Sequence, residues 1–312
     1  MKTDATPREP LEVWALLAYV VGAGFCLAFF YLGLRPGGAL PRFIWGQGIV
    51  YLQLTALALL VAGAIWSYRQ RPFLRRRRRI PFLLLIVVVG SASVSVPYPS
   101  SHEGHESAVC FRLPVEGEWT VFWGGETVEQ SLLAGYTADR RWGIDLVVAR
   151  DGKTHAGAAT AATDFFAFGK DVFAPADGVV VRAVGDLPDG EPGRMDRRVD
   201  ATGNRVVLEV GEREFVVLAH LAQGSLAVRE GERVKAGDRL ARVGCSGWSR
   251  FTPEPHLAVH LQDTPEPGRG EAIPWHFCGY VADGARVERG LPRGGVGPGG
   301  ELRGQRVARE GR

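Results

Sequence analysis

Cysteine, methionine and histidine are scarce in this 312-residue chain, and acidic residues are almost missing from its first third. The four cysteines (Cys26, Cys110, Cys245, Cys278) are too few to staple a small scaffold, and no two have the C-x-x-C spacing of a structural zinc site. Cys26 lies in an apolar run; one bridge among the other three is open if that part of the chain meets an oxidising compartment. Before residue 98 the only acids are Asp4, Glu9 and Glu12, against Lys2, Arg8, Arg35, Arg42 and seven arginines between Arg69 and Arg79. The rest carries 31 acidic against 26 basic residues, which excludes a net basic field and with it a nucleic-acid partner. What is present is 46% hydrophobic residues with 41 Gly and 19 Pro, too apolar for a disordered chain and without collagen's period.

Two runs, Val13 to Leu34 and Phe43 to Trp66, are apolar over a length that crosses about 30 Å of hydrocarbon as a helix. A third, Ile80 to Val96, is shorter and drifts into serine, so a re-entrant or interfacial segment is its alternative. Repeated full-length runs do not fit a cleaved signal peptide. The arginines from Arg69 to Arg79, unbroken over Arg75–Arg79, belong on the cytoplasmic side by the positive-inside rule and suit anionic lipid. With that loop inside, the N-terminus is inside, Arg35 to Arg42 outside, and everything after Val96 outside: a multi-pass protein of the cytoplasmic (inner) membrane, with its C-terminal part in the periplasm or cell exterior.

The expected organisation is a membrane anchor with three transmembrane helices over 1–97, a Pro/Ser tether over 98–109, a β domain over 110–282 and a disordered Gly/Arg-rich tail over 283–312. The β domain is read from short apolar runs between Gly, Asp and Pro: WTVFW, GIDLVV, VVVRAV, RVVLEV, EFVVLAHL, LARVG and HLAVHL. Their length and spacing predict an antiparallel sandwich or small barrel, with VREGERVKAGDRL as a sharp Gly-turn hairpin.

From Arg141 onward the order of pieces resembles the lysostaphin/LytM-type zinc endopeptidases, which cut peptide cross-links of bacterial cell walls. The resemblance rests on RWGIDLVV (Arg141 to Val148), GKDVFAPADGVVV (Gly169 to Val181), GNRVVLEV (Gly203 to Val210), AHL (Ala219 to Leu221), VREGERVKAGDRLARVGCSG (Val228 to Gly247) and EPHLAVHL (Glu254 to Leu261). It implies transmembrane helices followed by a β-sandwich (barrel-sandwich) of that peptidase type, zinc as the family's cofactor, and peptidoglycan or an envelope protein as partner.

In the family, zinc is held by His and Asp of an H-x-x-x-D segment and by the second His of an H-x-H segment, while an A-H-L histidine and the first His of H-x-H assist. Carried over, Asp145 is the acidic metal ligand, and His220 and His256 are the catalytic histidines. Arg141 and Ala258 stand where the other two ligands are expected, and SLLAGYTAD (Ser131 to Asp139) supplies no replacement histidine. A hydrolytic zinc needs three protein ligands and an open position for water. Ala258 has no lone pair and Arg141 is a permanent cation with donors only. The expectation is that Arg141 fills the metal slot and pairs with Asp145. His260, on the same strand face as His256 and Ala258, is a possible rescue ligand, with an ordinary strand residue as its alternative. His102 and His105 fall in the tether, and His155 and His276 in or beside loops.

Two functions follow: a binding or regulatory module of the cell envelope with a degenerate zinc site, or a metalloendopeptidase with altered ligands. A third likeness, of APADGVVVRAV and VREGERVKAGDRLARVG to biotinyl and lipoyl carriers, lacks their modified Lys: the only methionines are Met1 and Met195, and Met195 adjoins no Lys.

Overall fold

The computed structural model describes residues 12–70, 72, 73, 75–91 and 96–310. The chain divides into two units, Met1–Ser93 and Val94–Arg312.

In the first unit, α1 (Val13–Gly33) is followed by α2 (Ala39–Phe43), one π-helical turn over Ile44–Gly48, and α3 (Ile49–Arg69). From Ala39 to Arg69 the helix is continuous over 31 residues and its most apolar 18-residue window has a mean hydropathy of 2.1; α1 has 21 residues and a window of 2.2. At about 1.5 Å per residue both reach the roughly 30 Å of a bilayer core. Leu16, Val20, Leu27 and Phe30 on α1 and Leu54, Leu57, Val61 and Ile65 on α3 point outward, whereas Trp14, Ala18, Ala56, Phe82 and Leu85 pack inward. Small residues let the helices approach: a β-carbon on Gly63 would lie 2.6 Å from Trp14 Cε3. The expected third span differs. Helix α4 (Arg76–Gly90) has 15 residues, begins inside the arginine run and ends at an extended Ser91, so its helical part is too short to cross alone. Residues 92–95 of that expected span lie outside the described residues.

The second unit is built from strands. They are β1 (Cys110–Phe111), β2 (Trp119–Trp123), β3 (Ile144–Val147), β4 (Asp171–Phe173), β5 (Gly178–Val184), β6 (Asn204–Gly211), β7 (Glu214–Leu221), β8 (Arg233–Val234), β9 (Arg239–Arg242), β10 (Leu257–Gln262), β11 (His276–Ala282), β12 (Ala285–Gly290) and β13 (Arg306–Arg309). The main sheet runs β1-β11-β13-β2-β3-β10-β7-β6-β5-β8, with β12 on β11, and β4 and β9 form a separate pair. All pairings are antiparallel except β1 with β11. Alternation sorts the faces: Leu257, Val259 and Leu261 of β10 join Leu146, Leu218 and Val243 in the main core, while Ala258 turns to the other face with Val217 and Ala219. The bridge that the sequence left open is Cys110–Cys278, tying β1 to β11; Cys26 and Cys245 are free.

Two expectations are corrected. The tether is docked: Tyr98 is fully buried, its hydroxyl donating to Glu271 Oε1 at 3.0 Å, Ser100 Oγ donates to the Ala272 carbonyl and the Ser107 amide to the Pro274 carbonyl. The β domain satisfies the polar groups that make a Pro/Ser segment read as solvated. The tail is also ordered. Val307 is buried, and β13 sits between β11 and β2, pairing Ala308 with Val281 and Val307 with Trp119. Its glycines serve close approach: a β-carbon on Gly304 would fall on the Val121 carbonyl, and Gly294 donates its amide to the Gly124 carbonyl at 2.8 Å.

Candidate functional site

Strands β3, β10 and β7 lie side by side, and their ladder sets Asp145 opposite Ala258 and Ala258 opposite Ala219. A charged group thus faces two methyls along one row, on the face that also carries His260. Asp145 is fully buried, and both of its oxygens are engaged. Arg140 Nη2 donates to Oδ1 in a short ion pair, and the Thr252 hydroxyl donates to Oδ2 at 2.6 Å. Burial pushes the Asp145 carboxyl up, but Arg140, His256 and Thr252 outweigh it and hold it below its ordinary value.

The expected pairing of Arg141 with Asp145 is therefore wrong by one residue. The turn before β3 sends Arg141 the other way: its Nη1 donates to the Tyr98 carbonyl at 2.7 Å and to Glu103 Oε2 at 2.8 Å, and its guanidinium lies 4.4 Å from the Trp142 ring centroid. Consecutive residues in an extended or turning segment diverge, so two adjacent arginines serve two sides, Arg140 the groove and Arg141 the docked linker.

His220 and His256 come together as the sequence implied, with ring centroids 4.6 Å apart. His220, the penultimate residue of β7, lies in the left-handed region (φ 61°) at a register shift between β6 and β7, and this irregularity turns its ring towards His256. The network assigns both ring protons to Nδ1: His220 donates to the Ser246 carbonyl at 2.9 Å and His256 to the Glu254 carbonyl at 2.6 Å. His256 Nε2 is left as a buried lone pair 3.7 Å from Asp145 Oδ2, with no hydrogen-bond partner. Burial lowers both rings, with a further push on His220 from His256, and brings His220 down to about 3.

His260 is buried on the same face as Ala258. It faces Gln262 Oε1 at 3.3 Å through Nε2, stands 3.9 Å from Asp139 Oδ2, and is lowered to about 4 chiefly by burial. Arg140, Ala258, Ala219, His220, His260 and Trp248 line one cavity of about 480 Å³. A smaller recess of about 20 Å³ brings Cys245 near His220 and His256, but burial and Asp189 push the Cys245 thiol up to about 11, which leaves it protonated and a poor nucleophile at neutral pH.

The donor set does not fit a catalytic zinc. Asp145 is covered by a cation and a hydroxyl, Ala258 offers no lone pair, and among the described residues no group of three or more His, Cys, Asp or Glu is placed to hold a metal ion. Of the other histidines, His102 pairs with Asp263 at 3.2 Å on the docked linker, His276 opens β11 beside Glu106, and His155 bridges to Phe165. Arg140 and Thr252 are the site residues that sequence reasoning missed; the doubled arginine before RWGID was the one available signal.

Among known proteins, residues 154–269 match Peptidase family M23, a stretch that includes His220, His256, Ala258 and His260 and begins after Asp145. No curated protein matches the chain. Similar solved structures include a zinc-containing peptidase from Vibrio cholerae (19% identity, TM-score 0.32, 53% of this chain and 41% of that one). Others are the catalytic domain of lysostaphin from Staphylococcus simulans (16%, 0.29, 50% and 88%) and a glycyl-glycine endopeptidase LytM from Ruminococcus gnavus (17%, 0.35, 75% and 85%). The chain thus spans less than half of the Vibrio cholerae protein's length. The match to Peptidase family M23 thus covers residues 154–269, the stretch that carries His220, His256, Ala258 and His260 of the groove, while Arg140 and Asp145 precede it.

Proposed function

We propose that this is a membrane-anchored M23 protein of the cell envelope whose groove binds wall peptide, or a partner protein presenting one, without hydrolysing it. The observation that carries this reading is Arg140 on Asp145 with the Ala258 methyl opposite: a fixed guanidinium stands where a catalytic cation would have to sit, and a divalent ion there would be repelled. What the groove retains is a pair of neutral imidazoles, a guanidinium and apolar walls, which suits holding a peptide. The orientation is supported by the arginine run Arg75–Arg79, which caps and opens α4 and which the positive-inside rule keeps on the cytoplasmic side. The Cys110–Cys278 bridge also supports it, since such a bond persists in an oxidising compartment.

The test is metal analysis of the full chain purified without chelator, together with co-sedimentation on cell-wall sacculi. The expected result is much less than one zinc per chain, retention on sacculi, and no release of cleaved cross-link peptides. One tightly held zinc per chain with cleavage would overturn the reading in favour of a metalloendopeptidase with altered ligands.

A further inference from the structure

Part of the wall of the 480 Å³ cavity comes from two loops, with Tyr136, Thr137, Asp139 and Arg140 on the first and Pro267 and Gly268 on the second. The loops are bonded to each other: the Gly268 amide donates to Asp139 Oδ2 at 2.7 Å and the Ala272 amide to the Ala138 carbonyl at 2.8 Å. The docked linker grips both. On the first loop, the Tyr98 amide donates to the Ala134 carbonyl at 2.8 Å, and Arg141 Nη1 donates to the Tyr98 carbonyl and to Glu103 Oε2. On the second, Glu271 accepts from the Tyr98 hydroxyl at 3.0 Å, the Ser101 amide at 3.0 Å and the Ser101 hydroxyl at 2.9 Å, while the Ala272 carbonyl accepts from Ser100 Oγ at 3.0 Å. His102 adds a further hold: its Nε2 is 3.2 Å from Asp263 Oδ2, and Asp263 Oδ1 accepts the Glu271 amide at 2.8 Å. Among the described residues none of 97–107 lines the cavity, so the linker reaches the groove through its walls and does not occupy it.

This contact is close to all-or-none. Glu271 and Arg141 are 2% and 7% exposed, and lifting the linker strips three donors from the first and two acceptors from the second. A half-lifted linker leaves buried polar groups short of partners, so docked and released forms are separate states. Release is also bounded, because Cys110 is bonded to Cys278 and Phe111 is fully buried, and the linker can leave the loops without drawing β1 from β11. Finally, release is transmitted. Arg141 holds the linker, and Arg140, its neighbour across one peptide bond, holds Asp145 and lines the cavity. The linker is the covalent path from the first unit to the β domain, so a displacement of the chain before Tyr98 meets these bonds first.

We propose that residues 97–107 are a regulatory strap: docked, they hold the two loops in the form that binds; lifted, they free the loops and lower the groove's affinity. The fall in affinity rests on the binding function proposed above, whereas the hold on the loops stands without it. By reciprocity, whatever the groove binds in its docked form protects the linker by the same factor.

Amide hydrogen exchange on the full chain in detergent, followed by co-sedimentation with cell-wall sacculi, tests it. Tyr98→Ala removes the buried ring and hydroxyl; Ser100→Ala with Ser101→Ala removes two hydroxyl donors without opening a large cavity, and serves if the first variant does not fold. The expected result is exchange at least tenfold faster than in the parent over 97–107 and also over 133–142 and 263–272, parental exchange in β5, β6 and β7, and retention on sacculi at least tenfold weaker. Sacculi bound to the parent should slow proteolysis of 97–107 by a matching factor. Parental exchange over 97–107 in both variants, a faster linker over unchanged loops, or loosened loops with parental retention overturns the proposal. So does faster exchange spread through β6 and β7, which would make the linker a prop for the whole domain. If the parent itself is not retained on sacculi, the binding function falls, and exchange over 133–142 and 263–272 alone decides whether the strap holds the loops.

Discussion

Asp145 and Ala258 face one another across the β3–β10 ladder, a buried carboxylate against a methyl, and the charge is answered from the side by Arg140. The pairing dictates what the groove tolerates. An isolated ionised carboxylate at full burial costs several kcal/mol, so Arg140 is as much a part of the fold as of the site.

Removing Arg140 should therefore destabilise the domain. Arg140→Ala is expected to cost about 3–5 kcal/mol, the usual penalty for breaking one partner of a buried pair, and Arg140→Ala with Asp145→Ala should recover much of it. Denaturant unfolding of parent, single and double variants checks this; an unchanged midpoint in Arg140→Ala would show that Asp145 is supported by Thr252 and His256 alone.

Restoring histidines at the two changed ligand positions should not by itself restore a metal site. Arg141→His with Ala258→His leaves the Arg140 guanidinium on Asp145, and the expected outcome is no stoichiometric zinc. Arg140→His with Ala258→His instead removes the guanidinium and puts an imidazole on the residue that faces Asp145, and should allow uptake, read as tetrahedral cobalt absorption or zinc content. Tight zinc in the Arg141→His, Ala258→His variant would mean that Arg140 swings aside at little cost.

Acid should loosen the domain from near neutrality downward. His220 is brought down to about 3 and His260 to about 4, and His256 is also lowered, each chiefly by burial. In the unfolded chain each returns to roughly 6.5, so below that pH the unfolded state binds more protons and stability falls with pH until the folded values are reached. Asp145 acts in the same sense at lower pH, because its lowered carboxyl gives stability that is lost as it protonates. The melting temperature should be lower at pH 5 than at pH 7, and His220→Asn should flatten that slope; equal melting temperatures would mean that these rings are solvated.

The docked linker should become cleavable when its clamp is removed. Arg141→Ala deletes the bonds to the Tyr98 carbonyl and Glu103, and limited proteolysis between Pro97 and Ser107 should accelerate several-fold while the β domain stays intact. Unchanged protection would assign the docking to Tyr98 and Glu271 instead.

Much of this was legible in the sequence because it depends on period and block order. The two long apolar helices and the alternation that sends His256, Ala258 and His260 to one face follow from local pattern, and the approach of His220 to His256 is what the family resemblance implied. What was not legible depends on partners far along the chain. Arg140 and Arg141 have the same chemistry, and only the turn before β3 decides which meets Asp145. Thr252 reaches Asp145 across 107 residues from a loop without any distinguishing pattern. The linker and the tail were misread for one reason: serine, proline and glycine signal solvated chain when their partners are out of view. Here Glu271 and the Ala272 carbonyl complete the first, and the Gly124 and Val121 backbones complete the second.

The place of β13 between β2 and β11 also fixes an order of events. The strands on its two sides enclose nearly the whole β domain in chain order, yet neither edge is covered until Arg306–Arg309, which follows all the other strands, is available. A nascent chain lacking those four residues holds an open seam through its main sheet, with Trp119 and Tyr280 on the strands that border it, so completion must wait until β13 has been made. Truncation at residue 300 is thus expected to leave chaperone-dependent, aggregation-prone material instead of a shortened domain.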